Sequence, residues 1–215
     1  NYGVIALQFG ASIILARLLS PSEIGIYSVA STLIGLAQVV RDFGVGQYII
    51  QEKELTPDRI KSAFGLSIIT SVFLATIVAS LCDVAADFYR EPGVRNVMLI
   101  LAVNFLLIPF GQITLAYLRR EMRFGAVAIA TIGSTVAHVA TSIGLAYLGF
   151  SYMSLAYAAL AGVIVSAGIA TFYRPKDMPW APGFKQLGCV VKFGSFSVLA
   201  NMANALARGV GDLVL

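Results

Sequence analysis

Long apolar stretches separated by short polar breaks run through nearly all of this 215-residue chain. Only 12% of the residues are charged, about half of the ~25% that soluble domains carry. A helix needs about 20 mostly apolar residues to cross the hydrocarbon core of a bilayer, and several stretches here have that length. Because no water satisfies backbone groups in that core, such stretches cross it as helices. The sequence therefore predicts an all-α polytopic membrane protein.

Seven membrane spans are predicted. Their approximate limits are 2–19, 24–50, 63–81, 97–118, 126–148, 152–173 and 193–215. A polar connection is predicted between spans three and four, from Asp83 to Asn96. Pro109 lies inside span four, where a proline removes a helical hydrogen bond and is expected to kink the helix. The residues from Phe184 to Val191 mix polar and apolar side chains, which predicts a short helix in the membrane interface.

Basic residues are distributed unevenly between the loops. The loops after spans two, four and six hold ten of them, namely Lys53, Arg59, Lys61, Arg119, Arg120, Arg123, Arg174, Lys176, Lys185 and Lys192. The loops after spans three and five hold two, Arg90 and Arg95. Short loops rich in Lys and Arg stay in the cytoplasm. The first group of loops and the amino terminus are therefore predicted to be cytoplasmic.

Arg41 and Asp42 interrupt an apolar stretch that runs from Ile24 to Ile50. A charge at membrane depth is costly unless it faces a water-filled cavity or a partner, so Arg41 is a candidate functional residue. The alternative is that its side chain extends to the headgroups of the inner leaflet. Gly44 and Gly46 follow directly and are expected to loosen the helix at this point.

Polar residues also occur inside spans five and seven. Arg208 and Asp212 are four residues apart and share a helix face. Asn201 and Asn204 lie near the same face. Whether Arg208 only pairs with Asp212 or contacts a substrate is open at this stage, because charges inside membranes usually pair. His138, the one histidine, is interpreted as a packed or hydrogen-bonded residue rather than a proton relay.

Spans five and six carry small residues at helical spacing, which predicts close packing of the two helices. These residues are Ala130, Ser134, Ala137 and Thr141 in span five and Ser154, Ala158 and Ala161 in span six.

Common enzyme and cofactor signatures are absent from the sequence. A single histidine cannot build a His-rich metal site, and neither a Gly-x-Ser-x-Gly elbow nor a phosphate-binding Gly-x-x-x-x-Gly-Lys loop occurs. The basic residues form no patch with interleaved aromatic residues, which argues against nucleic acid as a partner. Cys82 and Cys189 fall in segments predicted at opposite membrane faces and are expected to be reduced thiols. No cofactor and no metal are predicted.

Four stretches of the chain are similar, in the same order, to stretches of one transporter family. They are LARLLSPSEIGIYSVA (15–30), DFGVGQYIIQEKELTPDRIKSAF (42–64), LRREMRF (118–124) and FGSFSVLANMANALARGVGDLVL (193–215). They resemble the Wzx-type oligosaccharide flippases, which are polysaccharide biosynthesis and export proteins of the multidrug/oligosaccharidyl-lipid/polysaccharide exporter (MOP) superfamily. The resemblance implies a MATE-like fold of two six-helix lobes around a basic cavity. It also implies movement of a polyprenyl-pyrophosphate-linked oligosaccharide from the inner to the outer leaflet.

On this resemblance the chain is expected to be a fragment of a longer protein. Residues 1–173 would form the six-helix amino-terminal lobe, 174–192 a cytoplasmic or interfacial linker, and 193–215 the truncated start of the second lobe. The expected location is the bacterial inner membrane, with a role in lipopolysaccharide or exopolysaccharide biosynthesis. The protein is predicted to be a transporter rather than an enzyme.

The resemblance also implies which residues meet the lipid-linked oligosaccharide. The candidates for binding the pyrophosphate or an acidic sugar are Arg41, Arg208 and Arg17. The candidates for contacts with sugar hydroxyls are Gln38, Asn201 and Asn204. The candidates for ion coupling, or for pairing with the arginines, are Asp42 and Asp212. The coupling ion is left open between a proton and sodium, and membrane lipid is the other expected partner.

Two other functions are considered. A cation-coupled multidrug exporter of the same superfamily would be expected to have acidic residues in its cavity, and the arginines at membrane depth argue against it. A membrane enzyme of polysaccharide assembly would need a large outer loop with catalytic residues. The longest predicted outer loop, from Asp83 to Asn96, is too short to form a domain.

Overall fold

The computed structural model describes residues 2–41, 44–175, 178–179, 181–183, 188 and 190–191, and these residues are almost entirely helical. The helices are α1 (Tyr2–Leu18), α2 (Pro21–Arg41), α3 (Val45–Gln51), α4 (Pro57–Tyr89), α5 (Pro92–Arg120), α6 (Phe124–Tyr147) and α7 (Met153–Phe172). Predicted span seven, with Asn201, Asn204, Arg208 and Asp212, lies outside the described residues, as does Asp42.

Four of the described helices, α4 to α7, are long enough and apolar enough to cross a membrane, and α1 is a shorter apolar helix. The prediction of an all-α multi-pass membrane protein is thereby confirmed. At 1.5 Å per residue the 33 residues of α4 extend about 50 Å, well beyond a hydrocarbon core of about 30 Å. The ends of this helix therefore project out of the apolar layer.

The predicted polar connection from Asp83 to Asn96 is wrong. Helix α4 continues through Tyr89, and α5 begins at Pro92, so the turn is confined to Arg90 and Glu91. Arg90 takes a left-handed conformation (φ 54°) that ends α4. Asp83 accepts a hydrogen bond from Arg95 at 2.5 Å, which joins the two projecting helix ends. Polar residues mark where the chain leaves the apolar layer, and a helix outside that layer needs no break in its hydrogen bonds.

Predicted span two consists of two helices. Helix α2 ends at Arg41, and the seven-residue α3 begins after Gly44, whose φ of 65° is left-handed. This conformation costs glycine little because glycine has no Cβ. The expected loosening of the helix after Arg41 is confirmed, and Arg41 consequently stands at a helix end and not within a continuous span.

The start of α2 is held by a capping box. Glu23 accepts hydrogen bonds from the backbone N–H of Ser20 at 2.6 Å and from its hydroxyl at 2.8 Å, and the Glu23 N–H bonds back to the Ser20 hydroxyl. Pro21 occupies the first helical position, where its missing N–H costs nothing. Ser151, in the turn between α6 and α7, also donates to the Glu23 carboxylate. The Glu23 carboxylate thus caps the start of α2 and also links it to the turn between α6 and α7.

Helix α5 is the centre of the bundle and packs on α2, α3, α4 and α7. One buried cluster joins its first half to α2, the second half of α4 and α7, and Phe105 is buried within it. A second cluster joins its last turns to α3 and the start of α4, around the buried Tyr48 and Ile49. Pro109 is buried between these clusters, and the helix continues on both sides of it. A bend at Pro109 remains a prediction.

Helices α6 and α7 pack along each other, as their small residues predicted. Ala130, Ser154 and Ala158 are fully buried in this region. A Cβ atom placed on Gly162 would lie 3.3 Å from the carbonyl oxygen of Ser134. A Cβ atom on Gly111 of α5 would lie 3.1 Å from the Cα atom of Ala167 in α7. Small residues therefore allow α7 to approach both neighbours at backbone distance.

The segment after α7 returns to the end of the bundle that holds α3. The N–H of Gly183 donates to the carbonyl oxygen of Lys61 at 2.9 Å, and Met178 and Val190 are buried in the second cluster. Most of the predicted interfacial helix, 184–191, lies outside the described residues. The division of the chain into a lobe, a linker and a second lobe remains a prediction.

Candidate functional site

A cleft of about 280 Å³ lies between α2, α5 and α7. Its wall is apolar over much of its area and carries four long or polar side chains. These are Arg41 from α2, Gln112 and Arg119 from α5, and Ser166 from α7. Because α2 and α5 both end here, the cleft lies at the end of the bundle that carries the basic loops. We call it the arginine cleft.

Arg41 is the last residue of α2 and is half-buried in the wall of the arginine cleft. Its guanidinium carbon lies 5.8 Å from the centre of the Phe105 ring, a distance at which a cation and an aromatic face attract each other. This contact orients the guanidinium group while leaving the side chain on the cleft surface. The structure therefore places a cation against the apolar interior at this point.

Arg119 and Gln112 of the arginine cleft are not among the predicted site residues, and the sequence places Arg119 in a basic loop. They are seven residues apart on α5 and hence two helical turns apart on one face. Gly111 and Leu115 lie on the same face, and at Gly111 the backbone of α7 approaches α5 closely. Helical spacing could have grouped Gln112 with Arg119, but no sequence signal indicates that Arg41 lies across from them.

Arg120, the next residue, serves a different purpose. Its guanidinium group donates to the carbonyl oxygen of Ile49 at 2.9 Å and to that of Glu52, with longer contacts of 3.5 Å to Ile50 and Lys53. These carbonyls belong to the carboxyl end of α3 and the loop after it, where a helix leaves acceptors unsatisfied and favours a cation. Arg120 therefore fastens α3 to the end of α5.

A second cavity, of about 390 Å³, lies between α1, α6 and α7. Its polar lining residues are Gln8 from α1, Ser134, Thr135 and His138 from α6, and Ser166 from α7. Val163 and Ser166 line both this cavity and the arginine cleft, so the two spaces adjoin across α7. We call the second space the hydroxyl cavity. His138 is half-buried in its wall, close to Gly162.

The other candidate site residues that the structure describes are Arg17 and Gln38, and both are exposed. Neither belongs to the lining of the arginine cleft or of the hydroxyl cavity. The predicted roles of all the candidate residues in substrate binding or ion coupling stay predictions. Within the described part of the chain, no group of three His, Cys, Asp or Glu side chains is placed to hold a metal ion.

Comparison with known proteins places the chain in a family. Residues 14–215 match the model of a family described as polysaccharide biosynthesis protein. The lipopolysaccharide biosynthesis protein WzxC of Escherichia coli is 24% identical over 99% of this chain and 44% of its own length. The teichuronic acid biosynthesis protein TuaB of Bacillus subtilis is 28% identical over 83% of this chain and 37% of its own length.

A third relative is the succinoglycan biosynthesis transport protein ExoT of Rhizobium meliloti, which is 27% identical over 77% of this chain and 33% of its own length. The chain thus spans less than half the length of these relatives. No solved structure matches it. The match covers nearly all of the chain and confirms the resemblance on which the prediction relied. The chain therefore belongs to the polysaccharide biosynthesis protein family, in agreement with its predicted resemblance to the Wzx-type proteins of the MOP superfamily.

Proposed function

We propose that the protein of which this chain is part moves a polyprenyl-pyrophosphate-linked oligosaccharide across the bacterial inner membrane. The observation that carries the proposal is the arginine cleft, in which Arg41 and Arg119 project from two helices into one space lined by both polar and apolar side chains. A pyrophosphate that enters the membrane loses its hydration and needs positive charge nearby. Guanidinium groups supply that charge together with paired hydrogen-bond donors that match phosphate oxygens.

The position of the cleft fits pick-up of the headgroup from the inner leaflet. Arg41 and Arg119 stand at the carboxyl ends of α2 and α5, at the end of the bundle whose loops are predicted to be cytoplasmic. Between Arg41 and α3 the chain passes through Gly44, whose left-handed conformation precedes the new helix. In the full transporter Arg208 of the second lobe would approach the same headgroup from the other side.

The rival functions fit the cleft less well. A multidrug exporter that binds organic cations would need acidic side chains, whereas the described residues that line the arginine cleft include two arginines and no acidic residue. The name of the Rhizobium meliloti relative describes a transport protein, and the other two relatives are named for biosynthesis. Transport of an anionic intermediate is compatible with all three names.

The direct test uses the full-length protein in liposomes that contain radiolabelled polyprenyl-pyrophosphate oligosaccharide extracted from cells lacking the protein. External periodate, which does not cross the bilayer, oxidises only sugars in the outer leaflet. With the protein and an imposed proton or sodium gradient, the oxidised fraction should rise with time beyond the outer-leaflet fraction seen in empty liposomes. An unchanged fraction, under either gradient, would contradict the proposal, and gradient-driven ethidium transport by the same vesicles would favour the multidrug exporter.

The predicted orientation can be tested with single cysteines. In a full-length protein lacking Cys82 and Cys189, cysteine at exposed Glu91 should react with an impermeant maleimide in intact cells. Cysteine at exposed Lys53 should react only after permeabilisation, because the loop between α3 and α4 is predicted to be cytoplasmic. Both positions are exposed, so a difference in labelling reports membrane side and not burial. The reverse pattern would place the arginine cleft at the outer face and contradict pick-up from the inner leaflet.

A further inference from the structure

The hydroxyl cavity differs in chemistry from the arginine cleft beside it. Among the described residues its lining contains no arginine, lysine or acidic side chain, and its polar groups are an amide, an imidazole and hydroxyls set in a mostly apolar wall. At about 390 Å³ it falls within the range of roughly 300–1,000 Å³ that ligand pockets occupy. A neutral polar ligand suits this surface better than an anion or a cation.

The hydroxyls of the cavity present acceptors to a ligand. Ser134 and Thr135 each donate their hydroxyl proton to the carbonyl oxygen of Thr131, at 2.9 Å in both cases. Each hydroxyl oxygen keeps lone pairs after that donation. Gln8 adds an amide with donors and an acceptor, and His138 adds a ring that can donate and accept. A ligand with many hydroxyl groups can satisfy both kinds of partner.

The hydroxyl cavity and the arginine cleft are neighbours, as the sugar and the pyrophosphate are in a lipid-linked sugar. In such a molecule the sugar is joined directly to the pyrophosphate, so their binding sites must touch. The hydroxyl cavity and the arginine cleft share Val163 and Ser166 of α7 as a common wall. We propose that the hydroxyl cavity is a subsite for the neutral sugar residues next to the pyrophosphate, with Gln8, Thr135 and His138 as its principal contacts.

This subsite rests on the proposed function, and it adds residues of α1 and α6 that select the sugar rather than the headgroup. The test measures binding of two probes by full-length protein in nanodiscs. One probe is the polyprenyl-pyrophosphate oligosaccharide extracted from cells lacking the protein, and the other is farnesyl pyrophosphate, which has no sugar. A subsite for sugar affects only the first probe.

The double variant Gln8→Leu with Thr135→Val removes an amide and a hydroxyl from the cavity at nearly constant volume. It should bind the oligosaccharide lipid about tenfold more weakly, as expected for the loss of two hydrogen bonds, and bind farnesyl pyrophosphate as the unchanged protein does. Thr131→Val is the matched control, because Thr131 lies one turn earlier on α6, is exposed and donates to its own helix in the same way. It should leave both affinities unchanged.

Two results would overturn the subsite. One is that the double variant binds the oligosaccharide lipid as tightly as the unchanged protein does. The other is that the double variant loses affinity for both probes to the same extent. An independent arm needs no variant. Free oligosaccharide, released from the lipid by mild acid, should displace the oligosaccharide lipid but not farnesyl pyrophosphate. If it displaces neither probe, the subsite is also overturned. If the unchanged protein binds the sugar but not farnesyl pyrophosphate, the headgroup part of the proposed function fails while the subsite stands.

Discussion

Replacing Arg41 with alanine in the full-length protein is expected to stop surface polysaccharide from forming while the protein still inserts into the membrane. Arg41 supplies a half-buried cation in the arginine cleft, which would compensate for the hydration that an anionic headgroup loses on entering the membrane. A hydrogen bond to a charged group contributes ~1.5–3 kcal/mol, so its loss corresponds to a factor of about 10 to 100 in binding. Export is measured as polysaccharide at the cell surface, normalised to the amount of protein in the membrane.

Graded substitutions separate charge from geometry at this position. Arg41→Lys should restore part of the export, because lysine keeps the charge but loses the planar fork and its favourable stacking on Phe105. Arg119→Ala should have a smaller effect than Arg41→Ala, since exposed Arg119 can be replaced in part by water. Lys53→Ala removes the same charge from an exposed loop and should leave export unchanged. Normal export by Arg41→Ala at ordinary abundance would remove Arg41 from the mechanism.

The defect should be accompanied by accumulation of the lipid-linked intermediate. If transport fails but assembly of the oligosaccharide continues, Arg41→Ala cells should hold more polyprenyl-pyrophosphate oligosaccharide in their membranes than normal cells. A membrane enzyme that acts before the oligosaccharide is complete would give the opposite result, because its substrate and not the finished oligosaccharide would accumulate. Extraction and mass spectrometry of the lipid fraction distinguish these outcomes in the same strain.

Hydrophobic length and local backbone chemistry explain what could be predicted. The limits of α1, α6 and α7 follow the apolar stretches closely, and the close packing of α6 with α7 follows from their small residues. The break after Arg41 was predictable because two glycines follow it within five residues, and Gly44 takes the left-handed conformation there. Each of these features depends on residues near one another in the chain.

Features that depend on environment or on distant residues were harder to predict. The end of α4 and the start of α5 differ from the prediction because charged residues such as Asp83 and Arg95 are typical of a loop, whereas on a projecting helix they are simply solvated or paired. The arginine cleft and the hydroxyl cavity each take residues from three helices. Helical periodicity identifies the face on which Gln112 and Arg119 lie, but it does not identify the helix that faces them.

Arg120 illustrates the same limit, because in the sequence it is one of several basic residues in a short loop. In the structure its guanidinium group contacts the carbonyl oxygens of four residues, among them Ile49 and Glu52, and joins α5 to α3. Its neighbour Arg123 has the same charge and is exposed at the start of α6. The two arginines therefore form a matched pair in which one side chain is structural and the other is solvated.

Replacing Arg120 with alanine is expected to destabilise the full-length protein by about 3 kcal/mol, because the carboxyl end of α3 loses its charged donor and carbonyls in a partly buried place are left unsatisfied. The melting temperature of the purified protein and its abundance in membranes should both fall. Arg123→Ala should leave both quantities unchanged. Arg120→Lys should give intermediate values, because an ammonium group lacks the planar fork with which a guanidinium group reaches several carbonyl oxygens. Because only three residues separate Arg41 from the start of α3, loosening α3 should also weaken farnesyl pyrophosphate binding by the protein that remains folded. Equal melting temperatures for Arg120→Ala and Arg123→Ala would show that the contacts of Arg120 add nothing to stability.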